Sequence, residues 1–553
     1  MTTLDNRDRY RWLGRLLEMV PGTISWAVLI LPLWLSFSYP WLVAYFVLSF
    51  DFYWLCRALW FSGAVIVAYR RIRRVLAVDW TARLSRLEQL VERRSEYESR
   101  GIVAEAASSG TFGISFSGHV TSDERRRARE ELDDLQLVLK LPEAPPAVDE
   151  LIHLALIPTY TESLEKLRHT VRALTEAHWP TERKICAIIT RETDTGGIDN
   201  VAALREEFGD AFAEFIHILD PLEPGIVVGK SSAMAWGGRY LYRLLVRERG
   251  MDPRRIMITD LDADYRVHPQ YFAYLAWMHL TDANRETQLY QPIPYFHNNI
   301  WQAPMLQRLF AAVLTQLQMW RSVLPEKLQS FGSYSTTLNL VHEVGYWATD
   351  AIPEDSRFYW KSYFRYGDRF RAVPLFIPIY GDAVRARGYW RSMAEQYLQA
   401  RRWAWGVTDI PYVIENAIAH PEIPFWSRFW RVLNLFGEHI NWAIAPFVVM
   451  FGATVPLLIN PAFAETTLGQ NLPLFASVMI TIALVGLFVL VVIEHFIVPP
   501  RPPEWGPVQR ILSYVQWLAL PFVGIFFSNL PALDAQTRLL TGRYLEYRVT
   551  EKA

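Results

Sequence analysis

The chain has 553 residues, with 56 Lys plus Arg against 57 Asp plus Glu, 51% hydrophobic residues and 14% aromatic ones. That length exceeds one small domain, and the balanced charge argues against a nucleic-acid binder, which carries a basic excess. Cys56 and Cys186 are the only cysteines, too few for a disulfide framework, and no CxxC or Cys/His zinc spacing exists.

The apolar residues gather at the two ends, the profile of a membrane protein with a soluble middle. Arg7, Arg9, Arg11 and Arg15 precede an apolar region over about residues 21–69. It is far longer than the hydrophobic part of a signal peptide and suffices for two helices of about 20 residues each. Ser38-Tyr39-Pro40 is the expected turn between them. Asp51 and Arg57 fall within the second span, are costly in lipid and are expected to face protein. Arg70, Arg71, Arg73 and Arg74 close the block, so arginines flank it on both sides. The positive-inside tendency then puts both flanks, and the soluble middle, in the cytoplasm.

Residues 75–140 read as polar helix rich in Arg and Glu. Residues 108–117, Ser-rich with Gly110 and Gly113, interrupt it as a flexible loop; a phosphate cradle there would want a preceding strand. Pro142, Pro145 and Pro146 form a linker. From Leu151 the pattern changes. Short apolar runs at 151–157, 184–190, 215–219 and 256–259 alternate with helical stretches, one of which opens at Gly229-Lys230-Ser231-Ser232. Such alternation predicts an α/β unit with a parallel sheet and helices on its faces. Ligands bind outside the carboxyl ends of strands in such sheets. Thr159, Glu192, Asp194, Asp262 and Asp264 all fall there.

The fourth run ends in Asp260-Leu261-Asp262-Ala263-Asp264. Read as a continuing strand, its three carboxylates point to one side. They repel one another unless a cation sits between them, and Mg²⁺ or Mn²⁺ favours such oxygen ligands. Alone, the stretch reads equally well as a solvated acidic turn. Farther on come a helix at about 303–321, Phe331-Gly332-Ser333-Tyr334-Ser335, Pro353-Glu354-Asp355, and Gln399-Ala400-Arg401-Arg402-Trp403. Gln399, Arg402 and Trp403 share one helical face. Residues 425–436 alternate aromatic and basic residues, which suits a helix lying at the membrane surface. Candidate spans follow at 441–459, 474–498 and 511–529, with residues 499–507 a stiff Pro-rich connector. Two plus three spans put the tail outside, yet Arg538, Arg543, Arg548 and Lys552 favour the inside; a re-entrant last segment around Pro521 is one resolution.

Asp262-Ala263-Asp264 after a strand, the Glu354-Asp355 pair, the Gln399/Arg402/Trp403 motif and the flanking membrane helices together resemble the membrane-embedded family 2 glycosyltransferases, of the kind of bacterial cellulose synthase and hyaluronan synthase. The resemblance covers about residues 151–406 and the membrane architecture. It implies a GT-A (Rossmann-like) cytoplasmic domain inserted between N- and C-terminal transmembrane helices. The expected division is 1–75 transmembrane hairpin, 76–147 helical linker, 148–422 transferase domain and 423–553 interface helix with C-terminal spans.

By the same resemblance Asp262 and Asp264 hold Mg²⁺ or Mn²⁺, Asp355 is the general base with Glu354 beside it, and Lys230 and Arg402 meet the donor diphosphate. Gln399, Trp403, Glu354 and Ser333 line the acceptor site. Thr159, Tyr160 and Glu162 bound the base of a nucleotide-sugar donor, with a UDP-sugar favoured. Thr161 replaces the usual Asn there, and the usual base-reading Asp is replaced by a segment offering Glu192 or Asp194. The implied activity is metal-dependent, inverting transfer onto a growing polysaccharide at the plasma membrane, coupled to export. Transfer of one sugar to a lipid-linked acceptor is the alternative, and an inactive transferase-like scaffold a remoter one.

Overall fold

The computed structural model describes residues 11–92, 122–221, 226 and 229–546. Arg7, Arg9, the expected loop at 108–117, Arg548 and Lys552 lie outside them. Two long helices open the described chain, α1 (Arg11–Ser38) and α2 (Pro40–Leu76), broken at Tyr39 where Pro40 begins the second. Two polar helices follow, α3 (Trp80–Glu92) and α4 (Ser122–Lys140).

The α/β part is β1 (Ile152–Pro158), α5 (Leu164–Thr175), β2 (Lys184–Arg191), α6 (Thr195–Phe208), β3 (Glu214–Asp220), α7 (Lys230–Leu241) and β4 (Ile256–Asp260). Then come β5 (Arg266–Val267), α8 (Tyr271–Leu280), β6 (Gln288–Tyr295), α9 (Met305–Val323), β7 (Tyr334–Thr337), α10 (Leu338–Glu343), α11 (Glu354–Tyr366), β8 (Arg371–Tyr380), α12 (Tyr389–Ala404) and α13 (Asp409–Ala419). The eight strands form one sheet in the order β3-β2-β1-β4-β7-β6-β8-β5. Alternate residues of one strand feed opposite faces, as the strand period requires. Leu154, Leu156, Ile256 and Ile258 pack on one side with Met234 of α7. Ala155, Ile157 and Met257 pack on the other with Leu167 of α5 and Val201 of α6. Both faces are covered, which is why these strands read as unbroken apolar runs; each fully buried Leu or Ile contributes about 1.5–3 kcal/mol. Helix α7 lies so close to the sheet that a Cβ on Gly237 would fall 2.5 Å from the Ile189 side chain.

The sheet departs from the expected parallel one. Strands β3 to β4 are parallel, but β7 runs antiparallel to both β4 and β6, and β5 antiparallel to β8. Strand β7 consists of Tyr334, Ser335, Thr336 and Thr337, and its Ser335 and Thr336 hydroxyls bond inside the sheet. Thr259 and Ser335 lie 2.7 Å apart Oγ1 to Oγ, and Thr336 Oγ1 donates to the Gln288 carbonyl.

The C-terminal part holds α14 (Phe425–Phe451), α15 (Thr467–Ile497), α16 (Pro507–Val515) and α17 (Leu530–Thr541), the last two joined through tight and wide helical turns. Among the described residues five helical runs are long and apolar enough to cross a membrane: Trp12–Ser38, Pro40–Leu76, Phe425–Phe451, Thr467–Ile497 and Pro507–Thr541. The expected surface helix at 425–436 is therefore not separate. Nothing breaks the helix before Phe451, so the aromatic and basic start and the apolar continuation share one axis. The turns in the last run flank Pro521 and precede Pro531, whose missing N–H groups force a local change of hydrogen bonding.

Contacts order the ends of these runs. Asn460, after α14, donates to the carbonyls of Ser36 and Phe37 at the tip of the α1–α2 hairpin. At the opposite end Arg15 donates to the carbonyls of Leu539 and Leu540. The run 507–541 touches the α/β part near both of its ends, Gln516 through Arg308 of α9 and Asp534 through Arg401 of α12 at 2.9 Å. Four helices thus run from the α/β part to the far tip, while the fifth leaves and returns on the near side.

Candidate active site

Strand β4 delivers Asp260, and α7 begins beside it with Lys230 as its first residue, its start closed by Gly229 and Ser232 bonding each other. The strand stops at Asp260, so the expected alternation of all three carboxylates does not continue. Residues 262–265 turn instead, with Tyr265 N–H donating to the Asp262 carbonyl. The Lys230 ammonium lies 2.7 Å from Asp262, 3.1 Å from Asp260, 3.8 Å from Glu354 and 3.9 Å from Asp355. Strand β4, helix α7 and the start of α11 therefore converge on one cation. Burial alone would discharge that ammonium, but the four carboxylates hold its pKa well above the ordinary lysine value. Burial pushes the Asp355 carboxyl well up, against the pull of Lys230 and with the help of Glu354, Asp260 and Asp262.

Asp355 is held from the β7 side. Gly332 N–H donates to its Oδ2 at 3.0 Å, and Ser330 Oγ donates to its carbonyl. Gly332 has φ +62, a left-handed conformation that suits glycine. Ser333 is buried and accepts from Asp262 N–H at 3.0 Å, so it braces the acidic turn from behind rather than lining the cavity. Asp264 faces the cavity, with its Oδ2 accepting from Asp382 N–H at 3.4 Å.

At the β1 end the Glu162 carboxylate accepts from Thr159 Oγ1, Tyr160 N–H and Thr161 N–H at 2.9, 2.7 and 3.1 Å. It shapes the loop that carries Thr159 and Tyr160. Glu192 and Asp194 fall outside the cavity lining, and Asp194 caps α6 through Gly197 N–H. Arg191, which the sequence did not single out, lines the cavity with its guanidinium 5.3 Å from the Tyr160 ring centroid. Gln399, Arg402 and Trp403 present one face of α12 to the same cavity, and Trp403 stacks against Phe310 and meets Phe331 edge-on.

These groups share one cavity of about 1650 Å³. It runs from the β1 loop past Lys230, Asp262 and Asp355 to Trp403, then between the long helices, where Trp54, Val449, Met450, Ile480 and Leu520 line it. Asp262, at 30% side-chain exposure, opens to the cavity, and Asp264 lines it beside Asp262. That donor set is hard oxygen and fits a divalent cation. Among the described residues no three His, Cys, Asp or Glu side chains are yet grouped as a complete metal-binding set, so a bound ion would draw its remaining ligands from elsewhere.

Residues 257–492 match the family model described as glycosyl transferase family group 2. The matched stretch holds Asp262, Asp264, Asp355 and the α12 motif. Over that stretch the chain is similar to the family 2 glycosyltransferases. No curated protein matches it. Similar solved structures include a mannosyltransferase from Pyrobaculum calidifontis in complex with GDP-Man and Mn²⁺, 14% identical over 73% of this chain and 99% of that one, with a TM-score of 0.38. Another is a 1–349 fragment of S. aureus TarS in complex with UDP-GlcNAc, 10% identical over 63% and 91%, with a TM-score of 0.32. Likenesses this distant carry no argument of their own.

Proposed function

We propose that the protein is a membrane glycosyltransferase that takes a sugar from a nucleotide-sugar donor, with a UDP-sugar favoured, and adds it to a saccharide chain held in the cavity. The observation that carries this reading is the continuity of that cavity from the acidic cluster, past the α12 face, into the space between the membrane helices. The loop of Thr159 and Tyr160, shaped by Glu162 and with Arg191 against Tyr160, bounds the donor base. Lys230 and Arg402 offer positive charge to the donor diphosphate; Arg suits bidentate contact with phosphate. Asp262 and Asp264 would hold Mg²⁺ or Mn²⁺, which when bound supplies Lewis-acid stabilisation of leaving-group charge. Asp355, oriented by Gly332 N–H, accepts the proton of the attacking acceptor hydroxyl. Attack from the face opposite the leaving group inverts the anomeric centre. Trp403 stacks on the acceptor sugar and Gln399 sits beside it.

The chain is inserted in the plasma membrane with the α/β part in the cytoplasm, beside Arg70, Arg71, Arg73 and Arg74. Helices α1, α2, α14 and α15 cross, and the run 507–541 re-enters, which also puts the basic tail inside. The α12 motif favours repeated addition with export through the helices. One observation favours the second reading, single transfer to a lipid-linked acceptor: the inner cavity wall of Val449, Met450, Ile480 and Leu520 is apolar. A panel of radiolabelled nucleotide sugars, with and without Mn²⁺ or Mg²⁺, tests both when the product is sized. High polymer supports the synthase and a single-sugar lipid the second reading; no turnover with any donor refutes both.

A further inference from the structure

A second polar cluster lies in the cavity that the transfer chemistry does not use. Trp54 and Arg57 stand one turn apart on α2, and Gln318 and Arg321 one turn apart on α9 with Trp320 between them; all five line the cavity. The Arg57 guanidinium lies 5.0 Å from the Trp54 ring centroid and 5.4 Å from that of Trp320, and the Lys327 ammonium lies 5.6 Å from Trp320. One carboxylate, Glu438, is shared by Arg321 at 3.4 Å and Lys327 at 3.5 Å. Among the described residues Arg57 has no carboxylate partner, and its hydrogen bond goes to the Tyr53 hydroxyl. Three cations against one anion leave a net positive site. A cation on a helix that crosses a membrane is expensive, and such residues mark function.

The unmet hydrogen bonds point the same way. Among the described residues, four of the buried donors without an acceptor fall in this one cluster: Trp54 Nε1, Gln318 Nε2, Trp320 Nε1 and Arg321 Nε. Gln318 and Trp320 are 2% and 3% exposed. An unmet buried donor is costly, and several lining one wall call for an explanation. A saccharide hydroxyl brings a proton along with its lone pairs. An oxyanion brings only acceptors, which is what this wall lacks. Beyond it the cavity is walled by Val449, Met450, Ile480, Leu520 and Val523, a surface for alkyl chain rather than for hydroxyls.

We propose that Arg57, Arg321, Gln318, Trp54 and Trp320 bind the phosphate or diphosphate of a long-chain lipid whose tail lies along that apolar wall, and that this lipid anchors the acceptor. The proposal rests on the reading that the cavity receives the acceptor. Native mass spectrometry on the full chain in nanodiscs, without nucleotide sugar, tests it with a polyprenyl phosphate, the matching polyprenol, inorganic phosphate and a uronate oligosaccharide. Polyprenyl phosphate should be retained and polyprenol not. Arg57→Gln and Arg321→Gln should each weaken retention about tenfold or more, the worth of one charge-assisted hydrogen bond. Trp54→Phe, which keeps the ring and loses the donor, should weaken it less, and nucleotide binding by all three variants should match the wild type and so report an intact fold. Equal retention of polyprenol, wild-type retention by Arg57→Gln, or preference for the uronate oligosaccharide overturns the proposal. Displacement by millimolar inorganic phosphate would assign the cluster to a free anion and overturn the lipid source; failure to displace supports it. Because no sugar donor is present, failure here leaves the transfer assay standing, and the two readings fail separately.

Discussion

Lys230→Met removes the one ammonium on which Asp260, Asp262, Glu354 and Asp355 converge, with little change in volume. The shortest contacts are 2.7 Å to Asp262 and 3.1 Å to Asp260. Asp260 is fully buried, so its contact counts in full. Asp262 keeps 30% side-chain exposure, so solvent discounts the other. Taking one partner from a buried ion pair costs about 3–5 kcal/mol, because the remaining charge stays buried. At roughly 2 °C per kcal/mol for a domain of this size, the melting temperature falls by about 6–10 °C. Burial already raises Asp260 to about 7 beside the ammonium, and without it the carboxyl holds its proton more tightly still. Such a group favours the fold below its unfolded pKa, and that benefit is lost as pH rises through the raised folded value. The deficit should therefore be smaller near about pH 6 than near about pH 8. Millimolar Mn²⁺ should restore part of the loss, since a divalent cation meets the same carboxylates. The assay is thermal unfolding of detergent-solubilised protein over pH and Mn²⁺. An unchanged melting temperature, or a drop indifferent to both, would refute an electrostatic role for Lys230.

Glu162→Gln leaves the three donors of its loop with a weaker, neutral acceptor; nucleotide titration should show donor affinity reduced about tenfold, and unchanged affinity would show the loop does not touch the donor. Asp409→Asn breaks the buried pair with Arg357, 2.7 Å apart, which ties α11 to α13 behind Asp355. It should lower stability by about 3 kcal/mol in denaturant unfolding, and a loss below about 1 kcal/mol would mean that water or Thr408 replaces the pair. Burial, opposed by Lys230 and reinforced by the neighbouring carboxylates, holds Asp355 well above the usual carboxylate range. A base must be ionised to work, so the acid limb of the pH–rate profile should fall above the ordinary value of about 3.9; a limb at that ordinary value would exclude Asp355 as the titrating group.

Strands β1 to β4 were legible within a residue or so because each is an apolar run buried over most of its length. Strand β7 was not, because Ser335, Thr336 and Thr337 are buried through bonds to Thr259, the Gln288 carbonyl and Leu340 N–H and leave no hydrophobic pattern. The convergence of Asp262, Asp355 and the α12 face was legible as a set of motifs, whereas the direction of each acid was not. Asp194 looks like a ligand and serves as a helix cap. Glu162 looks like a base contact and turns inward to its own loop. The place of Ser333 behind the acidic turn depends on β7, so it was hidden with that strand. Arg57 was recognised as costly in lipid, but its meeting with Trp320 and its place beside Arg321 join residues more than 250 positions apart, beyond any periodicity.

The central claim is that Asp355 takes the acceptor proton in a site that binds its donor independently of that residue. Asp355→Asn, measured beside the wild type with the donor that the panel identifies, separates the two. Sugar transfer should fall by about 10²–10⁴-fold, while Mn²⁺-dependent binding of the nucleotide sugar, followed by calorimetry, stays within a few-fold of the wild type. Ordinary turnover by Asp355→Asn would contradict the account.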